Sequence, residues 1–340
     1  MTSNRSMQKL SKAGYVAVSV ITVIVMLGSV FSVFRNEPQK FLKMMDFPRQ
    51  QFFVLSAICL VAFSIGTKYW RWYDYALIVG LVGGLVINGV YLINYTPIIP
   101  ERVPTAAADH DPDSRFSVLL ANVLQENRNA QPFLERVREK DADFVLAMEV
   151  DEWWNQQMQP IEDAYPYKQE VFNDVTYGMA LYSKYPLENM KVSELHNDDV
   201  PSFQTTITLK NGRQFVLHTV HPVPPRNFKH LPDNEGRKER ELTKVGQLVL
   251  QSKLPNVVMG DFNDVAWGFT DEITHTEDLL YDIRVGRGFY NTFNAKHWYM
   301  YWPIDHVLVT KEFQCNKIER LADISSDHWP IYAELVLPGE

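Results

Sequence analysis

Residues 256–264, NVVMGDFND, are a short apolar run that stops at a glycine and ends in two acids and two amide or aromatic neighbours. The Val-Val-Met core suits a buried strand, and Gly260 marks its turn-off point. Asp261 and Asn263 therefore stand at the C-terminal end of a strand. The same figure recurs along residues 115–340. SVLLAN ends in Asn122, VLAMEV carries Glu149, and FVLHTV runs into His221. Asp305 and His306 stand before VLVT, while Asp327 and His328 precede WPIYAELVL. Each alone reads as a turn residue, a cap or a packed histidine. Their repetition at strand ends predicts that they share one rim.

Other strand candidates fill in around this one. Residues 115–122, 144–150, 178–183, 203–209, 214–220, 257–260, 306–310 and 331–336 carry the pattern. Pro132 suits the first turn of a helix whose inner face is Phe133, Leu134 and Val137. Strands outnumber helices and many joins are too short for crossovers, so the reading is two packed, mostly antiparallel sheets with helices outside.

The first hundred residues have a different texture. Residues 13–34, 51–70 and 75–95 read as three transmembrane helices, the last with small-residue surfaces at Gly80, Gly83, Gly84 and Gly89. A signal peptide for the first and a buried hairpin for the other two are the alternatives. Lys68-Tyr69-Trp70-Arg71-Trp72-Tyr73 has the aromatic and cationic mix of a membrane interface. Residues 1–99 thus form an anchor, 100–114 a Pro- and Asp-rich linker, and 115–340 a catalytic domain. For orientation, Arg5, Lys9, Lys12, Lys68 and Arg71 narrowly outnumber Arg35, Lys40, Lys43 and Arg49. This balance favours an inner-membrane protein with its catalytic domain outside the cytoplasm.

The chain's net charge is −8, but cations exceed acids in the anchor, leaving −14 on residues 101–340. So acidic a domain is repelled by nucleic-acid backbones unless a cation or a basic patch intervenes. Arg226, Lys229, Arg237, Lys238 and Arg240 are such a patch, diluted by Asp233, Glu235, Glu239 and Glu241. Cys59 and Cys315 allow neither a cysteine zinc cluster nor a disulfide framework. Glu149 and Asp327 offer hard oxygen ligands suited to Mg²⁺, with Mn²⁺ as an alternative. His221 and His328 suit phosphate contact or proton transfer, and Asp305 suits the partner of His328. Asp261 suits the activation of water, and the Asn263 amide suits transition-state stabilisation.

VLLANV, DFVLAMEV, TVHPVPP, MGDFND, PIDHVLV and SSDHWPI together resemble, in order, the motifs of the endonuclease/exonuclease/phosphatase superfamily. The resemblance spans roughly residues 115–337, and GRGFYNTF at 286–293 is similar to a bacterial membrane-anchored subgroup. It implies a four-layer α/β sandwich and Mg²⁺-dependent hydrolysis of a phosphate ester. It also implies that Glu149, Asn122 and Asp327 belong to the metal side, and that Asn122, His221 and Asn263 contact substrate. Catalysis would fall to His221, Asp261, Asn263, Asp305 and His328. The chain departs from the pattern twice: no carboxylate partner for His221 stands out, and nuclease-type basic elements are missing. The favoured substrate is a lipid head group or another membrane-proximal phosphodiester. HWYMYW at 297–302 offers an aromatic surface for it, or a partly buried strand. The alternatives are an extracytoplasmic nuclease acting on DNA or RNA, and a non-catalytic binding module.

Overall fold

The computed structural model describes residues 11–34, 42, 44–67, 69–195, 197–224, 237–268 and 276–339. The chain forms two compact units, Met1–Asn94 and Tyr95–Glu340.

In the first unit, α1 (Lys12–Phe31), α2 (Arg49–Gly66) and α3 (Trp72–Leu92) are each long and apolar enough to cross a membrane. Val16, Val20, Ile24 and Leu27 stay exposed along α1, whereas small and polar residues face inward. Asn88 Nδ2 donates to Ser29 Oγ at 2.9 Å and to Gly84 O at 2.8 Å. Such bonds hold helices together where lipid supplies no hydrophobic drive. The unit is also tied at both ends. Tyr15 donates to Asp74, and Arg49 bonds Asp46 and the Ser32 carbonyl beneath the Tyr91 ring. The second helix ends at Gly66 rather than residue 70, because Thr67 turns extended. The third begins at Trp72, ahead of 75, where Asp74 accepts from the Arg71 N–H. Arg5, Lys9, Arg35, Lys40, Lys43 and Lys68, weighed for orientation, lie outside the described residues.

The second unit is the four-layer α/β sandwich. One sheet holds β1 (Arg115–Asn122), β2 (Phe144–Met148), β3 (Tyr167–Val171), β4 (Met179–Ser183), β11 (Gln314–Arg320) and β12 (Ile331–Val336), in the order β11-β12-β1-β2-β4-β3. The other holds β5 (Glu188–Glu194), β6 (Pro201–Thr208), β7 (Gln214–Val220), β8 (Asn256–Asp261), β9 (Tyr281–Asp282) and β10 (Asp305–Val309), in the order β5-β6-β7-β8-β10-β9. Each sheet has one parallel pair, β1·β2 and β7·β8, and is otherwise antiparallel.

Alternation explains why the central strands are apolar throughout. Val118, Leu120, Phe144, Leu146, Val257 and Met259 fill the core between the sheets. Leu119, Ala121, Val145 and Ala147 face the helices α4 (Gln131–Lys140) and α5 (Glu152–Glu162) instead. Val258 and Leu308 meet α6 (Arg237–Gln251) on the far side. Both faces are buried, so no polar alternation appears.

Two expectations change. Residues 100–114 are no spacer: Val103 lies in the inter-sheet core and Thr105 bridges Cys315, so this segment is part of the sandwich. Four strands went unread, β3, β5, β9 and β11, and these are the four sheet edges. Their sequences are polar because half of each strand faces water.

Gly260 on β8 lies opposite Val220 on β7. A Cβ there would lie 1.8 Å from the Val220 carbonyl oxygen. Gly260→Ala is expected to destabilise the protein by about 3 kcal/mol, read as a lowered denaturant midpoint. An unchanged midpoint would show that this close approach is not required.

Candidate active site at one rim of the sandwich

Strand register brings the polar ends together. Asn122, the last residue of β1, lies opposite Met148, and Glu149 follows it. Asp261 ends β8 and pairs with Asp305, which begins the antiparallel β10. Val220 lies opposite Gly260 and hands the chain to His221. His328 precedes β12, whose Ile331 pairs with Leu120. Asn122, His221, Asp261, Asp305 and His328 are buried, while Glu149, Asn263 and Asp327 are half-buried.

The floor is a pair of acids bridged by an amide. Asn122 Nδ2 donates to Glu149 Oε1 at 2.8 Å and to Asp261 Oδ2 at 3.2 Å. Its oxygen accepts from the Leu124 N–H at 3.0 Å, so the amide braces both acids against the backbone. Glu149 Oε2 accepts from the Gln125 N–H at 3.2 Å. Glu149 also adopts φ 62, a left-handed conformation that a non-glycine residue holds only when its surroundings enforce it.

Burial pushes Glu149 up to about 7; the Asn122 bond opposes this and the charge of Asp327 adds to it. Burial likewise pushes Asp261 up to about 7, with His328 opposing and Asp305 adding. Among the described residues no Lys or Arg pairs with either acid.

The two histidines are set in opposite charge states. His328 Nδ1 lies 2.8 Å from Asp305 Oδ2, and its Nε2 lies 3.6 Å from Asp261 Oδ2. Burial alone would lower it, but Asp305 and Asp261 drive it up to about 10, an imidazolium at neutral pH. Asp305, despite its burial, is held below the usual carboxylate range by His328. His221 has no such partner: its Nε2 is 3.8 Å from Asp261 Oδ2, beyond hydrogen-bond reach. Burial, followed by the His328 charge, pushes it down to about 3, so it is neutral. The carboxylate partner sought for it is missing among the described residues, and the Tyr177 ring packs there, with centroids 5.2 Å apart.

Asn263 is fixed by its N–H to Asp261 Oδ1 at 2.8 Å and by Nδ2 to the Pro222 carbonyl at 3.0 Å. Asp327 Oδ1 lies 3.4 Å from Ser326 Oγ.

Supporting residues escaped the sequence reading. Ser326 donates to the Asn122 carbonyl at 2.8 Å and accepts from the His328 N–H at 3.1 Å. The fully buried Arg284 donates to Asp282, to the Asp305 carbonyl at 3.1 Å and to His306 Nδ1 at 2.8 Å. Only Ser326 adjoined a strand-end motif. Of the expected basic patch, Arg226 and Lys229 lie outside the described residues, as do Asp233 and Glu235, and Arg240 is exposed on α6.

Asp261, Asp305 and His328 present ligand atoms within 4.8 Å of one another, a spacing that suits a metal. Within this group Asp305 and His328 share a hydrogen bond at 2.8 Å, while His328 Nε2 stays 3.6 Å from Asp261 Oδ2. Glu149 and Asp327 are a second candidate: two half-buried acids that no Lys or Arg pairs among the described residues suit a hard dication that keeps several waters.

A profile of the Endonuclease/Exonuclease/phosphatase family matches residues 119–328. No curated protein sequence matches. Among solved structures, humanized TDP2 of D. rerio aligns at 15% identity and TM-score 0.54, covering 65% of this chain and 99% of its own. An endonuclease/exonuclease/phosphatase of Beutenbergia cavernae aligns at 16% and 0.53, covering 66% and 72%. A family protein from Bacteroides thetaiotaomicron aligns at 15% and 0.51, covering 67% and 97%. At such identities these likenesses establish the fold alone.

An acid whose folded pKa is raised above its unfolded value costs stability as pH climbs from that lower value through about 7. A dication relieves this cost only once the acids are ionised. Mg²⁺ added to EDTA-treated protein is therefore expected to raise Tm more at pH 8 than at pH 5, and not in Glu149→Gln. Equal shifts at both pH values would contradict this.

Proposed function

The chain belongs to the endonuclease/exonuclease/phosphatase family, and on that premise we propose that it is a membrane-anchored, Mg²⁺-dependent phosphodiesterase of the bacterial membrane-anchored subgroup. The observation that carries this reading is the Glu149–Asn122–Asp261 floor, a half-buried and a buried acid bridged by one amide and paired with no described Lys or Arg. Members of the family are generally phosphoester hydrolases or nucleases.

Glu149 and Asp327 would hold Mg²⁺, or Mn²⁺ in its place. Such an ion, when bound, neutralises a phosphate oxygen and favours in-line attack. The chain's own residues do the rest. The His328 imidazolium, held by Asp305, donates to a phosphate oxygen with charge assistance. Neutral His221 offers a second ring N–H. Asp261, raised to about 7, is matched to taking a proton from the attacking water near neutral pH. The Asn263 amide, anchored on Pro222, steadies the charge that develops on phosphorus-bound oxygen.

The substrate we favour is a lipid head group or another membrane-proximal phosphodiester. Trp298 is 81% exposed and Tyr299 55%, although neither is a core residue in need of burial. The base of their segment touches the site: the Ala295 N–H donates to the Asp327 carbonyl at 2.7 Å, and the Phe293 ring lies 4.9 Å from His328. Exposed aromatics beside a phosphate site suit the head-group layer of a membrane. We place the protein in the inner membrane with its catalytic domain outside the cytoplasm, on the charge balance of its helix flanks. A nuclease is the second reading, since D. rerio TDP2 has been solved with a single-strand DNA product. The net charge of −8 argues against it. A non-catalytic binding module is the least favoured, because each residue type the chemistry needs is present.

The test is hydrolysis by the detergent-solubilised full chain of a chromogenic diester, phospholipid vesicles, DNA and RNA, with Mg²⁺ or EDTA. Glu149→Gln is expected to lose turnover on the order of a thousand-fold, and wild-type turnover in it would remove Glu149 from the metal side. Joint Trp298→Ala and Tyr299→Ala replacement is expected to cut vesicle hydrolysis about ten-fold and spare the soluble diester. Equal losses on both, or DNA as the best substrate, would overturn the lipid reading.

A further inference from the structure

Beside the site lies a side chain that the reaction above leaves unused. Tyr177 is 1% exposed, and its hydroxyl has no hydrogen-bond partner among the described residues. Its position is tightly held. The Tyr177 N–H donates to Asn173 Oδ1 at 3.2 Å. Next to it, a Cβ on Gly178 would come within 1.7 Å of the Val150 carbonyl oxygen, so this turn is pressed against the residue that follows Glu149. The phenol packs with Val200 and Val223, and its ring lies against that of His221 at a tilt of 55°. His221 Nδ1 is also buried with no partner among the described residues.

Two buried polar atoms left unpaired on neighbouring rings are costly. They are not within direct hydrogen-bond reach of each other, and a single water between them would satisfy both. We propose that Tyr177 is a positioning residue whose hydroxyl donates through one bridging water to His221 Nδ1, and so fixes the ring proton on Nε2, the nitrogen nearer Asp261. The sign of the bond follows from its surroundings. Besides burial, Glu149, Asp261 and Glu241 all disfavour an ionised phenol, so the oxygen keeps its proton and serves as the donor. A buried histidine is ordinarily held in one tautomer by a carboxylate or a carbonyl. Tyr177 does this without adding a third negative charge to the Glu149 and Asp261 pair. With Nδ1 accepting, Nε2–H points where a phosphate oxygen would sit, and His221 acts as a donor and not as a base.

The kinetic arm of the test rests on the phosphodiesterase reading; the spectroscopic arm does not. Tyr177→Phe in the detergent-solubilised full chain keeps the ring and removes only the hydroxyl. The expected result is a kcat on a chromogenic diester lower by about ten-fold, with KM nearly unchanged and a slightly lowered Tm, since His221 Nδ1 is left unpaired. In ¹⁵N spectra of the histidine rings, with the His221 signals identified by their loss in His221→Gln, wild type is expected as the Nε2–H tautomer and Tyr177→Phe as a mixture. The same tautomer population in both proteins overturns the proposal, whatever the rates. An unchanged kcat overturns it too. If the wild-type protein hydrolyses nothing, the phosphodiesterase reading fails and the spectra alone decide the role of Tyr177.

Discussion

Glu149 and Asp261 lie on either side of one amide nitrogen, in a pocket where no described Lys or Arg balances them. Two desolvated acids of like sign are costly to bury, and the fold is arranged so that this cost can be met. Asn122 reaches both acids only because β1 runs parallel to β2 in register and because β8 arrives from the other sheet. The sheets meet at this point through the Asp261 N–H, which lies 3.3 Å from Met148 Sδ. The left-handed Glu149 and Asn263 are part of the same compromise, since strain and like charge are held in place by the packed strands behind them.

The same pocket sets two histidines to different work. His328 has Asp305 on one side and Asp261 on the other and keeps its proton, whereas His221 has only a distant oxygen of Asp261 and loses it. Environment alone separates them. Arg284 supports this division from behind by fixing the Asp305 carbonyl and His306, so the strand that delivers Asp305 starts at a defined place.

How much of this was legible depended on burial. Runs such as those at β1, β2, β8 and β12 announce themselves because both faces of each strand are covered, and the eight site residues were visible as polar interruptions of those runs. The edge strands β3, β5, β9 and β11 carry polar residues on their open sides, and their sequences resemble loops. Gln125, Tyr177 and Arg284 support the site from positions outside the strand-end pattern, and contacts across the fold leave no local mark. Asn122 was visible, but its bond to Asp261 was not, because that partner lies 139 residues away in sequence.

The central claim is that the floor built on Glu149 holds a divalent cation. Crystals of the protein grown with Mn²⁺ and measured for anomalous scattering test it directly. The account predicts one strong peak in direct coordination to Glu149, with Asp327 beside it and the Asp305–His328 pair left uncoordinated. A peak held instead by Asp261, Asp305 and His328, or none near Glu149 at saturating Mn²⁺, would contradict it.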